Sequence, residues 1–124
     1  MTPTHLLSFF VDILATPSKR ALRILAAAAR CPPEKMALLQ IADDSNNEYS
    51  TRVYEPRKTL LELLGEFRSV ALTFAQVLAM LPSLRPRFYS ISSSALRSPG
   101  VCHLTVAVTT SKTSTGRVHR GLAR

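Results

Sequence analysis

At 124 residues the chain has room for one domain at most and a modest core, which excludes several separately folded modules in one molecule of this length. Two cysteines, Cys31 and Cys102, lie far apart at no metal-ligand spacing; they exclude a disulfide framework or a zinc module and are expected to be buried or half-buried thiols in a reducing compartment. The formal net charge of +8 is unevenly spread. Every acid lies before Phe67, while Arg68, Arg85, Arg87, Arg97, Lys112, Arg117, Arg120 and Arg124 follow it with no acid among them. A basic half of this kind suits an anionic partner, whether nucleic acid, a membrane surface or a phosphorylated cofactor, or else is a solvated surface with no partner.

From the start, Leu6, Leu7, Phe10, Ile13 and Leu14 recur at helical spacing and predict a helix over 4–14. Thr16 is the expected N-cap of a second helix, with Pro17 at its first position and Leu22, Leu25, Ala26 and Ala29 as its apolar stripe to about Arg30. Cys31-Pro-Pro ends that helix and opens a third, in which Glu34 meets the helix dipole favourably and Leu38, Leu39, Ile41 and Ala42 are apolar. Asp43–Asn47 is a polar loop without the Gly and terminal Glu of a calcium loop. Glu48–Tyr54 predicts a short helix ending before Pro56. Thr59-Leu-Leu-Glu62 and Thr73-Phe-Ala-Gln76 both fit capping boxes, opening helices that run to about Phe67 and Leu81. These are helix starts without catalytic character.

After Pro82 the pattern changes to strand and turn. Arg87–Ser92 is one expected strand, Ser98-Pro-Gly100 a turn, and Val101–Thr110 a second strand alternating at Leu104, Val106 and Val108. Ser111–Thr115 is a small-residue loop, and Gly116–His119 starts a third strand. Helices followed by strands predict an α+β chain. No stretch is apolar and long enough to span a bilayer; Ala26–Ala29 is short and flanked by Arg23 and Arg30. Met1-Thr-Pro-Thr-His lacks the basic start of a signal peptide, so a cytoplasmic protein is expected. His5, His103 and His119 form no pattern with Ser, Cys or acids at catalytic spacing. No catalytic or metal-ligating residue is therefore nominated.

The chemistry concentrates in Arg85-Pro-Arg-Phe-Tyr-Ser-Ile-Ser-Ser-Ser94. Alternation puts Arg87, Tyr89 and Ile91 on one face and Phe88, Ser90 and Ser92 on the other. A guanidinium supplies a planar fork for phosphate oxygens, and a phenol ring supplies a flat apolar face with a polar tip. A flavin dinucleotide has both a planar ring system and a pyrophosphate. On pattern alone the same residues also read as an amphipathic strand with a basic edge.

Leu81-Pro-Ser-Leu-Arg-Pro-Arg-Phe-Tyr-Ser-Ile-Ser-Ser-Ser94 resembles the flavin-binding signature of the NADPH–cytochrome P-450 reductase family, the diflavin reductases, and most of all the reductase half of fused, self-sufficient cytochrome P-450 monooxygenases. The family's Arg-x-Tyr-Ser is here Arg87, Phe88, Tyr89 and Ser90. Thr16-Pro-Ser-Lys19, Cys31-Pro-Pro, Leu60–Phe67 and Leu104–Val108 fall in the family's order, so the resemblance covers nearly the whole chain. It implies that 1–82 is a helical connecting region of about five to six short helices, setting the spacing between flavin modules. It implies that 83–124 is an incomplete antiparallel β-barrel portion of a ferredoxin-reductase-type FAD-binding domain. A complete relative is several times longer, so the chain is expected to be a fragment or a degenerate copy of one, inactive alone.

The resemblance also implies roles. Arg87 would pair with the phosphates of FAD, Tyr89 stack on the isoalloxazine ring, and Ser90 bond near its polar edge or ribityl chain. Leu104 and Val106 would back the adenine or ring region, Leu104 at a place where the family varies. Gly121, Leu122 and Ala123 would offer backbone to the pyrophosphate, although Arg124 stands where the family has a hydroxyl residue. Phe88, where many relatives have Tyr, is expected in the core, and Ala95 replaces a common Pro. In a full-length relative NADPH reduces FAD and electrons pass through FMN to a heme protein. Neither nucleic acid nor membrane is an expected partner. The competing readings are a basic nucleic-acid-binding module and an inert helical fragment with a disordered tail from about Lys112.

Overall fold

The structure, a computed structural model, describes residues 1–120. The chain divides into two compact units, Met1–Leu84 and Arg85–Arg124.

The first unit is helical. α1 spans Pro3–Phe9, with Thr2 as N-cap and Pro3 in the first turn. It stops short of the 4–14 expected because the chain turns extended. Val11 bridges Ser83, Asp12 N–H donates to Pro82 O at 2.8 Å, and Leu84 N–H donates to Phe10 O at 2.9 Å. Apolar spacing alone does not hold a helix whose backbone groups find partners elsewhere. α2 spans Lys19–Ala28 and is capped by Ser18, whose hydroxyl accepts from Ala21 N–H at 3.2 Å. Thr16 is not the cap: Pro17 is buried outside the helix, and its carbonyl accepts the Tyr49 hydroxyl at 2.8 Å.

α3 spans Pro32–Asp43 with Pro in its first turn and Glu34 beside it. It ends at Asp44, in the left-handed region at φ 57°. That conformation is tolerated by Asp and Asn, whose short polar side chains bond locally; the Asp44 carboxylate accepts from Tyr49 N–H at 3.0 Å. The short helix expected over 48–54 is a π-helical turn, Ser50–Tyr54, closed by Glu55 N–H to Ser50 O at 2.8 Å. α4 spans Leu60–Glu66 and α5 spans Phe74–Met80, and both open on the expected capping boxes at Thr59 and Thr73.

α2 packs on α3, and the core forms from Leu22, Leu25 and Ala26 of α2, Leu38, Ile41 and Ala42 of α3, Val53 of the π turn, and Leu60, Leu63 and Phe67 around α4. The stripes expected in α2 and α3 therefore do become core, apart from Leu39, which is exposed, and Ala29, which lies at the core's edge, whereas none of Leu6, Leu7, Phe10, Ile13 and Leu14 joins it. The chain after α4 is laced to the end of α2: Ala29 bridges Val70, Arg30 N–H donates to Ser69 O, and Ala71 N–H donates to Ala28 O. Ser69 is the centre of that lacing. Its N–H (3.0 Å) and hydroxyl both donate to Glu34, and its oxygen accepts from Cys31 N–H at 3.1 Å.

In the second unit the only regular ladder among the described residues is β1, Ser111–Lys112, antiparallel to β2, Val118–His119. Its loop closes through Thr113 N–H to Arg117 O at 2.8 Å and Gly116 N–H to Thr113 O at 2.9 Å. Gly116 sits at φ +89°, a conformation that strains any residue with a Cβ. β1 lies where a small-residue loop was expected. The turn expected at Ser98–Gly100 is present, with Val101 N–H donating to Ser98 O.

The strands expected over 87–92 and 101–110 do not form as ladders. They share one antiparallel bridge, Ile91 to Leu104, and residues 105–110 make no backbone hydrogen bond among the described residues. β propensity measures fit to a pleated, half-buried surface, and no described residue beyond Leu84 is buried. The α+β class stands, with the strand content much sparser than the alternation suggests. Among the described residues no helix is long and apolar enough to cross a membrane.

Candidate functional site

Arg87, Tyr89 and Ser90 lie on an extended, exposed stretch of the second unit. Pro86 fixes the approach to it and removes one backbone donor. Tyr89 keeps 40% of its surface open. Leu104 and Val106 are also exposed, at 52% and 44%. The Ile91–Leu104 bridge joins the two stretches that carry these five residues. Carried two residues back, its antiparallel register would set Tyr89 level with Val106. Gly121, Leu122 and Ala123, the expected pyrophosphate contacts, lie outside the described residues.

Just past the bridge, the pair is held by Ser92, which alternation placed on the face of Phe88, and by Ser93, which it did not single out. Ser92 N–H donates to His103 O at 2.9 Å and the Ser92 hydroxyl donates to the same oxygen at 3.1 Å. His103 N–H in turn donates to Ser93 Oγ at 2.9 Å. The one sequence signal for this was the run of three serines beside the turn. A shallow concavity of about 490 Å³ lies on this side, lined by Ile91, Ser93, Ala95, Gly100, Val101 and Cys102. Neither Arg87 nor Tyr89 lines it.

Two expectations fail here. Phe88 is 95% exposed and not in a core, because no described residue of the unit is buried to receive it. Cys102 is exposed for the same reason, whereas Cys31 is half-buried.

Electrostatically the second unit holds no Asp or Glu, so Arg87 has no side-chain carboxylate within it to pair with. The ion pairs Lys19–Asp44, Arg52–Glu48, Arg52–Glu66 and Lys58–Glu66 all belong to the helical unit. There, Lys19 Nζ lies 2.8 Å from Asp44 and 5.5 Å from the Tyr49 ring centre. The hydrogen bond from Lys19 holds the Asp44 carboxyl below the usual carboxylate range, and burial pushes the Tyr49 phenol above its ordinary value. This cluster ties α2, α3 and the π turn together.

Among the described residues no group of His, Cys, Asp or Glu could hold a metal ion. His5 lies against Phe9 and Phe10, with ring centres 5.0 and 5.6 Å away. Arg87, Tyr89 and Ser90 together offer a cation with no ion pair among the described residues, an open aromatic face and a hydroxyl. Those groups fit a ligand both planar and anionic, as FAD is.

A family model of the FAD binding domain matches residues 1–124. Inducible nitric oxide synthase of Homo sapiens is 41% identical over 118 residues, 94% of this chain and 10% of that protein. Nitric oxide synthase 3 of Sus scrofa is 42% identical over 115 residues, 89% of this chain and 9% of that protein. Bifunctional cytochrome P-450/NADPH–P-450 reductase 2 of Bacillus subtilis (strain 168) is 37% identical over 119 residues, 95% of this chain and 11% of that protein. The chain thus spans about a tenth of the length of these relatives. FAD, the cofactor expected from Arg87–Ser90, is the one this family is named for. The chain belongs to the FAD binding domain family, among the diflavin reductases.

Proposed function

We propose that this chain holds FAD for an NADPH-dependent diflavin reductase that passes electrons through FMN to a heme protein. What carries the reading is one feature: an exposed Arg-x-Tyr-Ser stretch whose guanidinium has no side-chain carboxylate in its own unit and whose ring is open. Arg87 pairs with the phosphates, Tyr89 stacks on the isoalloxazine ring, and Ser90 bonds near its polar edge or ribityl chain. Leu104 and Val106 back the ring or adenine, and Gly121, Leu122 and Ala123 offer backbone amides to the pyrophosphate. Residues 1–82 act as the connecting region that spaces the flavin modules, and 83–124 as the barrel portion. The flavin supplies the redox chemistry when bound, and the protein's part is to bind and orient it. The hydride donor and the electron acceptor are bound by other parts of a diflavin reductase, so this chain alone binds flavin without turning over NADPH.

The test is titration of the purified chain with FAD, read by visible absorbance retained after gel filtration. Wild type should stay yellow. Arg87→Ala should lose about 10- to 100-fold in affinity, the range for a hydrogen bond to a charged group, and Tyr89→Ala a similar amount through lost stacking. A colourless wild-type chain overturns the proposal, as does retention of oligonucleotides in place of flavin with a steep salt dependence.

A further inference from the structure

An antiparallel hydrogen-bonded pair exchanges two bonds, each residue donating its N–H to the other's carbonyl. Ser92 and His103 form half of such a pair. Ser92 N–H donates to His103 O at 2.9 Å, but His103 N–H donates to the Ser93 hydroxyl oxygen at 2.9 Å. The same Ser93 hydroxyl donates to Val101 O at 3.4 Å. A side chain has therefore taken the place of a backbone acceptor, one residue beyond the Ile91–Leu104 bridge. Ser93 is half-buried, in a unit where most side chains, those of Ser92 and Ser94 included, are exposed.

We infer that Ser93 is a positioning residue: its hydroxyl closes the pair of stretches 87–92 and 101–106 and so sets Arg87, Tyr89 and Ser90 against Leu104 and Val106. The flavin part of this rests on the function proposed above. One bridge and two Ser92 bonds are all else that the described residues use to join these stretches. The run 105–110 adds none. With so few bonds, an acceptor aimed at His103 N–H fixes the register, and a one-residue slip would turn Tyr89 to the opposite face. The hydroxyl also ends the ladder, because the His103 donor is spent on a side chain and pairing does not continue toward the turn. Ser93 touches no ligand in this account; it acts through the backbone it holds.

The experiment compares Ser93→Ala, Ser93→Thr and Ser94→Ala in the full chain. Two quantities are read: amide exchange at His103 with the Ile91–Leu104 cross-strand nuclear Overhauser effect, both without flavin, and FAD affinity. In Ser93→Ala the His103 amide should exchange about 3- to 10-fold faster, the range for one ordinary hydrogen bond, and FAD affinity should fall by a similar factor. Ser93→Thr keeps the hydroxyl and should restore both, and Ser94→Ala should change neither. Unchanged His103 exchange in Ser93→Ala overturns the inference, as does a Ser93→Thr that behaves like alanine. If wild type binds no FAD, the proposed function falls. The clasp is then still decided by His103 exchange and the cross-strand effect.

Discussion

The two units of this chain solve the backbone's hydrogen-bonding problem in opposite ways. In Met1–Leu84 each helix satisfies most of its own N–H and C=O groups, and Thr2, Ser18, Thr59 and Thr73 cap four of the starts. What remains is to cover apolar stripes, which Leu22, Leu25, Leu38, Ile41, Val53 and Leu63 do with almost no exposure. From 85 to 120 the chain is extended between turns, and an extended segment depends on a neighbour for its backbone bonds. One bridge, four contacts of Ser92 and Ser93, the bonds of two turns and a two-residue ladder are what the described residues supply. Stability thus lies with the unit that has no expected cofactor contact, and the candidate flavin groups lie on the unit with no core.

The sharpest way to break this contrast is to truncate one large side chain in each unit. Leu38→Ala empties a fully buried position between α2, α3 and their neighbours. It should destabilise the chain by about 2–5 kcal/mol in urea unfolding followed by helical circular dichroism. Leu96, at 97% exposure, has no packing to lose, so Leu96→Ala should stay within about 0.5 kcal/mol. An equal cost for the two would mean that Leu96 is packed in solution and that the contrast is false.

Next in size is Ser69→Ala. It removes the hydroxyl that donates to Glu34 and accepts from Cys31 N–H, while the Ser69 backbone N–H still donates to Glu34. A loss of about 1–2 kcal/mol is expected from these partly buried bonds. Thr59→Ala should cost about 1 kcal/mol, since it opens the capping box in which Thr59 accepts from Glu62 N–H at 3.3 Å and Glu62 returns the bond to Thr59 N–H at 3.1 Å. Both losses should appear in the helical signal, leaving His103 exchange in the second unit as in wild type.

The same contrast explains what the sequence revealed. Helical patterns are local, so the stripe of α2, the Cys31-Pro-Pro boundary and both capping boxes could be read in advance. Errors within the helical unit came where a distant partner decided the outcome. Ser83 and Leu84 ended α1 early, and the Tyr49 hydroxyl held Pro17 outside α2. In the second unit alternation at Leu104, Val106 and Val108 promised a strand, yet alternation says nothing about whether a neighbour exists to pair with. The residue types of the site, a cation, a ring and a hydroxyl at Arg87, Tyr89 and Ser90, were legible as chemistry. The Ser93–His103 bond was not, because it joins residues ten apart.

The smallest expected effect separates the units by charge. Asp44 is held below the usual carboxylate range first by the hydrogen bond from Lys19, with Tyr49 N–H adding to it. A carboxyl lowered in the folded state binds fewer protons there than in the unfolded chain. Its stabilisation is therefore complete above the unfolded value, about pH 4, and is lost as pH falls through the folded value. Asn tolerates the left-handed φ of 57° at this position and can still accept from Tyr49 N–H. Asp44→Asn thus removes the charge pair with Lys19 and little else. Thermal melts from neutral pH downward should show the wild-type midpoint drop below about pH 4 more steeply than that of Asp44→Asn, and the two should differ by only a few degrees above it. The second unit has no Asp or Glu, so it has no side-chain carboxylate of its own to titrate across that acid range. A wild-type slope no steeper than the variant's would show that the Lys19 bond does not set this titration.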